Sequence, residues 1–196
     1  MTRSTNKYFL SGFICILCAA LILINNVYED YRVGKETRII TEKIADANSE
    51  YNKVKENNNV ENIPIVIPTK KINGNKYIGY LEIKKLGLNL PVMDSWSYEN
   101  IKISPARYSG SVYEKNIIVL AHNYKSHFGN IHRLKMGDIV QFYDMENNKF
   151  IFKVSKIEEI NGNDVEKLIS GKWDFTLFTC TLDGFYRTVV RCKSLN

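Results

Sequence analysis

A chain of 196 residues, 44% hydrophobic and 24% charged, has room for one folded domain with an accessory segment, and its composition is that of an ordinary folded protein. The net charge of +6 suits an anionic membrane or polymer surface, and no nucleic-acid recognition motif accompanies it, so no nucleic-acid partner is expected. Of the four cysteines, Cys15 and Cys18 lie inside an apolar run where neither a metal site nor a low-pKa redox pair can be built, which leaves Cys180 and Cys192 in the folded portion.

Residues 8–24 carry no charge over 17 positions. As a helix they reach about 26 Å, slightly short of a hydrocarbon core of about 30 Å, and Asn25 to Tyr28 extend the run through the interface. Arg3 and Lys7 precede this run while Glu29 and Asp30 follow it, which keeps the short N-terminal side in the cytoplasm and exports the rest. No small-x-small cleavage site follows Ile24, so a retained anchor is favoured over a cleaved signal peptide.

Residues 33–55 are polar and helix-friendly. Ile40, Ile44, Ala47 and Tyr51 recur at intervals of three and four, the pattern of a juxtamembrane helix with a modest apolar stripe. An Asn-rich stretch at 57–62, followed by Pro64 and Pro68, ends it as an extended linker. The expected division is therefore a cytoplasmic tip and anchor at 1–28, a juxtamembrane helix and linker at 29–71, and a catalytic domain at 72–196.

Beyond residue 72 the pattern turns to strands, at 78–83, 88–91, 116–121, 139–144, 150–160, 175–179 and 186–193. Turn residues such as Gly74, Gly87, Gly137 and the Asn147-Asn148 pair separate them. Short helices are expected at 98–103 and 165–170. Seven or eight short strands with few helices indicate a mostly β chain closed into a barrel or sandwich.

Three residues stand where chemistry is possible. Cys180 ends the strand Phe175-Thr-Leu-Phe-Thr179, just before a polar turn that contains Asp183 and Gly184, so its thiol opens toward a substrate. A thiol is a strong nucleophile only as thiolate and needs a base or a cation nearby. His122 terminates the apolar strand Ile117-Ile-Val-Leu-Ala121 at a rim, where an imidazole can exchange protons. Arg187 opens the strand Tyr186-Arg-Thr-Val-Val-Arg-Cys192, and a permanently charged guanidinium can stabilise an oxyanion. Alternation sets Arg187, Val189 and Arg191 on one face and Thr188, Val190 and Cys192 on the other, which argues against a Cys180–Cys192 disulfide. His127 and His132 follow His122 at intervals of five, which matches no zinc-ligand pattern. The acidic residues Glu158, Glu159, Asp164 and Glu166 read as a solvated surface, so neither a metal nor a cofactor is expected.

Thr176-Leu-Phe-Thr-Cys180 resembles the T-L-x-T-C signature of the sortase family, and Arg187 with the apolar strand after it resembles that family's R-x-x-V strand. Three more segments are similar to the family in the same order: Ile78-Gly-Tyr-Leu-Glu-Ile83, Ile117 through His122, and Phe128 through Asp138. Ala121 stands where Gly often precedes the histidine, and Lys84 where proline is common. The resemblance implies an eight-stranded sortase-type β-barrel with short helices, behind an N-terminal transmembrane helix and a juxtamembrane helix. It implies a cysteine transpeptidase that cleaves an L-P-x-T-G-like sorting signal of surface proteins. The acyl group then passes through a thioester to an amine of a cell-wall precursor or a pilin. Cys180 is then the nucleophile, His122 the acid and base, and Arg187 the holder of substrate or oxyanion. No Asp-Pro-aromatic lid motif is present, Asp94-Ser-Trp96 lacking the proline, so an anchoring enzyme of class B-like or class D-like type is expected. Two other readings stay open on the residues alone: a cysteine hydrolase of the same fold, and a membrane-tethered β-domain that only binds a partner.

Overall fold

The structure, a computed structural model, describes residues 2–55 and 66–195, with side chains described for 8–46 and 66–195. The chain forms two compact units, Met1–Arg32 and Val33–Asn196. The first lies within helix α1 (Thr2–Lys55), and the apolar side chains of residues 8–28, Cys15 and Cys18 among them, are exposed. Among the described residues this helix alone is long and apolar enough to cross a membrane. The expected linker at 57–62 with Pro64, and the side chains of Ala47 and Tyr51, lie outside the described residues.

The second unit is built on strands β1 (Lys70–Ile72), β2 (Asn75–Ile83), β3 (Leu88–Met93), β4 (Ala106–Ser109), β5 (Ile117–Leu120), β6 (Ile139–Asp144), β7 (Lys149–Asn161), β8 (Phe175–Cys180) and β9 (Tyr186–Ser194). Helices α2 (Tyr98–Ile103) and α3 (Val165–Ile169) are short. The strand order is β1-β2-β3-β4-β5-β8-β9-β7-β6, and a further β2–β6 pairing closes β2 through β9 into an eight-stranded barrel. Closure brings the two backbones close at Gly79, where a Cβ would fall 1.9 Å from the carbonyl oxygen of Tyr143. Gly79 also has φ of +150°, so only glycine fits this seam.

Both faces of the central strands are buried, which explains why β5 reads as an unbroken apolar run. Ile117 and Val119 point into the barrel with Leu81, Phe142 and Phe175, while Ile118 packs outward with Phe178 and Val189. β5 and β8 run parallel, and parallel strands covered on both sides lose the alternating pattern. The outer layer includes Ile40 and Ile44 of α1, and Val33, Thr37 and Thr41 are buried on the same stripe. Thr41 Oγ1 lies 2.9 Å from the carbonyl of Thr37 in its own helix and 3.2 Å from that of Asn89, which sets this part of the helix against β3.

Two strands have no counterpart among the expected elements. β1 is three residues long, and β4 is four residues held between one parallel partner and one antiparallel partner. Both are too short for a period-two pattern to register.

Candidate active site

Cys180 and Arg187 sit on adjacent strands at one barrel end, and His122 follows two residues after the end of the neighbouring strand β5. In the antiparallel β8–β9 pair Cys180 lies directly across from Arg187. On the other side of β8, Leu120 is in register with Phe178. Two further bonds carry that register forward: Ala121 N–H donates to the carbonyl of Phe178 over 3.3 Å, and Thr179 Oγ1 donates to the carbonyl of Ala121 over 2.8 Å. The next residues along the two segments are His122 and Cys180, so the backbone register carries the histidine to the level of the cysteine.

Each residue has its own environment. Cys180 is exposed and free of any disulfide. His122 is half-buried with its ring 5.0 Å from that of Tyr124, and burial, with the charge of Lys102, lowers its pKa. A lowered imidazole pKa favours the neutral ring at rest. The Arg187 guanidinium lies over Gly162, where a Cβ would come within 2.8 Å of its Nη1. From Nη1 it donates to the carbonyls of Gly184 and Tyr186 at 3.0 and 2.9 Å. These weak neutral acceptors leave its charge uncompensated by any carboxylate contact described for it.

A cavity of about 730 Å³ opens beside Cys180, lined among others by Asn130, Glu159, Asp183 and Tyr186. It gives a ligand access to the thiol from the loop side. His122 and Arg187 do not line it. A second cavity, of about 530 Å³, lies between residues 34–42 of α1, the start of β3 and the residues Lys125 and Ser126.

The other sequence candidates are accounted for differently. Cys192 is fully buried inside the barrel and pairs with Phe175, five residues and about 17 Å from Cys180 along β8. That distance, with the opposite face, excludes a disulfide between them. His127 is fully buried with its Nε2 3.2 Å from Thr37 Oγ1, and His132 Nδ1 is 3.1 Å from the Gly129 carbonyl. Glu158 is occupied by Lys156 and Arg191, at 2.6 and 3.1 Å.

The sortase domain family model matches residues 81–195, more than half of the chain. This chain belongs to the sortase family. The comparison with curated proteins finds no match. Among solved structures, sortase C of Clostridium perfringens with the C-terminal cell wall sorting motif is 23% identical, covering 80% of this chain and 89% of that one at a TM-score of 0.56. A Clostridium perfringens sortase D5 transpeptidase is 19% identical, covering 83% and 97% at 0.59. Sortase A from Corynebacterium diphtheriae is 14% identical, covering 91% and 95% at 0.57. Identities this low carry the barrel fold, and the three names span three classes. Sortases are cysteine transpeptidases that anchor or polymerise surface proteins.

Sequence reading missed an aromatic row on this sortase's outer face. Phe178, two residues before Cys180, meets Tyr108 edge-on at 5.5 Å, and Tyr108 stacks on Trp96 at 5.7 Å. The rings come from β8, β4 and the turn before α2, so no periodicity in one segment could signal them. Trp96 was legible only as the odd residue of Asp94-Ser-Trp96.

Proposed function

We propose that this sortase cleaves an L-P-x-T-G-like sorting signal in surface proteins and passes the acyl group to an amine of a cell-wall precursor or a pilin. Cys180, His122 and Arg187 do the chemistry. The observation that carries the reading is the register that sets Cys180 across from Arg187 while β5 delivers His122 along the other side of β8.

The thiolate Sγ attacks the threonine carbonyl carbon, and the carbonyl oxygen becomes an oxyanion that the Arg187 guanidinium stabilises. Collapse breaks the Thr–Gly bond, with the imidazolium of His122 giving its proton to the departing glycine nitrogen. The thioester is then attacked by the acceptor amine, His122 takes the amine's proton, and Cys180 leaves as thiolate. Burial and Lys102 hold His122 toward its neutral form in the resting enzyme. The apolar helix anchors the enzyme, with the N-terminus cytoplasmic and the barrel, which lies within residues 72–196, on the extracellular side. The charge asymmetry about residues 8–24 supports that orientation.

The test is turnover of the detergent-solubilised full-length chain on a sorting-signal peptide, with and without a glycine-based or lysine-based amine. Ligated product that grows with amine concentration is expected. Cleavage insensitive to amine identifies a hydrolase, and no cleavage with any sorting-signal variant leaves only the binding-domain reading.

A further inference from the structure

His122 is carried by the loop 122–129, and that loop is held from an unexpected direction. Its backbone folds on itself: Phe128 N–H donates to the His122 carbonyl over 3.2 Å, and the Tyr124 carbonyl accepts from His127 and Gly129 at 3.0 and 2.8 Å. The Tyr124 ring lies 5.0 Å from the ring of His122 and 5.7 Å from that of His127. His127 and Thr37 are almost completely buried, and they meet at 3.2 Å between Nε2 and Oγ1. The Thr37 hydroxyl is also 3.3 Å from the carbonyl of Ile103, the last residue of α2. A carbonyl only accepts, so the single hydroxyl hydrogen goes to Ile103 and His127 donates its Nε2–H to the hydroxyl. One hydroxyl group thus joins α1, α2 and the His122 loop at a single buried point. The helix backbone also abuts the loop directly, since a Cβ on Gly34 would sit 3.0 Å from that of Ser126.

We infer that Thr37 is a positioning residue for His122, acting through His127 and Tyr124, so that this one turn of the N-terminal helix supports the catalytic imidazole. This rests on the assignment of His122 made above. A catalytic imidazole displaced by a fraction of an ångström loses rate without losing substrate affinity. Thr37→Val keeps the shape and removes the hydroxyl. Thr37→Ser restores the hydroxyl. Thr41→Val removes a neighbouring hydroxyl that lies 2.9 Å from the backbone carbonyl of Thr37 and 3.2 Å from that of Asn89, and leaves the Thr37 hydroxyl and the loop untouched.

The experiment uses full-length chain in detergent micelles, with kcat and KM measured for peptide transfer and the histidine ring signals followed by NMR on 13C-histidine protein. Thr37→Val is expected to lower kcat by about tenfold to a hundredfold, to leave KM for the peptide within about twofold, and to move the His122 ring signals together with those of His127. Thr37→Ser is expected to recover most of the rate, and Thr41→Val to change neither kcat nor the His122 signals. His122 signals that stay in place in folded Thr37→Val overturn the inference whatever the rate does. If the wild-type chain transfers nothing, the proposed function fails, and the ring signals alone still decide whether Thr37 positions His122.

Discussion

The two ends of the β8–β9 pair contain the same residue types and treat them in opposite ways. At the inner end Cys192 is fully buried, burial pushes its thiol pKa up, and Arg191 is 2% exposed. The Arg191 guanidinium donates to Glu158, to Thr176 Oγ1 and to the carbonyls of Lys167 and Leu168, the last two at 2.8 and 2.6 Å. At the outer end Cys180 is exposed and Arg187 bonds only its own loop. Arg187 and Arg191 face the same side of β9, so the strand pattern alone does not tell them apart. The difference lies in what is already satisfied. A buried guanidinium with four of its five N–H groups taken by protein acceptors has little to offer a transient oxyanion, whereas one held by two loop carbonyls can turn to a stronger acceptor at small cost.

Substitutions sharpen that contrast. Cys180→Ala is expected to abolish peptide cleavage, since it removes the atom that forms the thioester, while Cys192→Ala is expected to leave kcat nearly unchanged and cost about 1 kcal/mol of stability. Equal loss in both variants would break the comparison between the two ends. Arg187→Ala is expected to lower kcat by roughly 10²–10³, the usual loss for one oxyanion donor, and Arg187→Lys to recover only part, because an ammonium lacks the planar fork. If Arg191→Leu gives that rate loss in a fully folded protein instead, the two arginines have been assigned the wrong way round.

Arg191→Leu should register in stability. Removing a buried guanidinium leaves Glu158 with Lys156 alone and strips the partner from two carbonyls in the last turn of α3, at roughly 3 kcal/mol, which urea unfolding of the solubilised chain would detect. The smallest effect concerns His122. Its pKa is lowered by burial and then by Lys102, so Lys102→Gln removes a like charge and should move the ring titration up toward its ordinary value. A downward move, or none, would mean that Lys102 does not act on this imidazole.

What the sequence made legible follows from how local each signal is. The segments around Cys180, His122 and Arg187 each carry their own motif on one strand, and the strand order β5-β8-β9 brings them together. Alternation correctly separated Cys192 from Arg187, because a period of two survives in β9 even where both faces are covered. The roles of Thr37 and His127 were not legible, since each is polar, each is buried, and 90 residues separate them. The apolar stripe of α1 was read from Ile40 and Ile44, and its threonines went unnoticed because a hydroxyl at a core position looks like surface until its acceptor is known. The aromatic row at Phe178 needed three elements at once.

The central claim is that Cys180, at the open end of the β8–β9 pair, is the atom through which the acyl group passes. It is tested most directly by incubating the full-length chain with a sorting-signal peptide without an amine acceptor, quenching in acid and mapping the adduct by peptide mass spectrometry. The expected result is a thioester to the peptide's threonine carbonyl on Cys180 alone, with Cys15, Cys18 and Cys192 unmodified, and its release when amine is added before the quench. An adduct on Cys192, or peptide cleavage undiminished in Cys180→Ala, would contradict it.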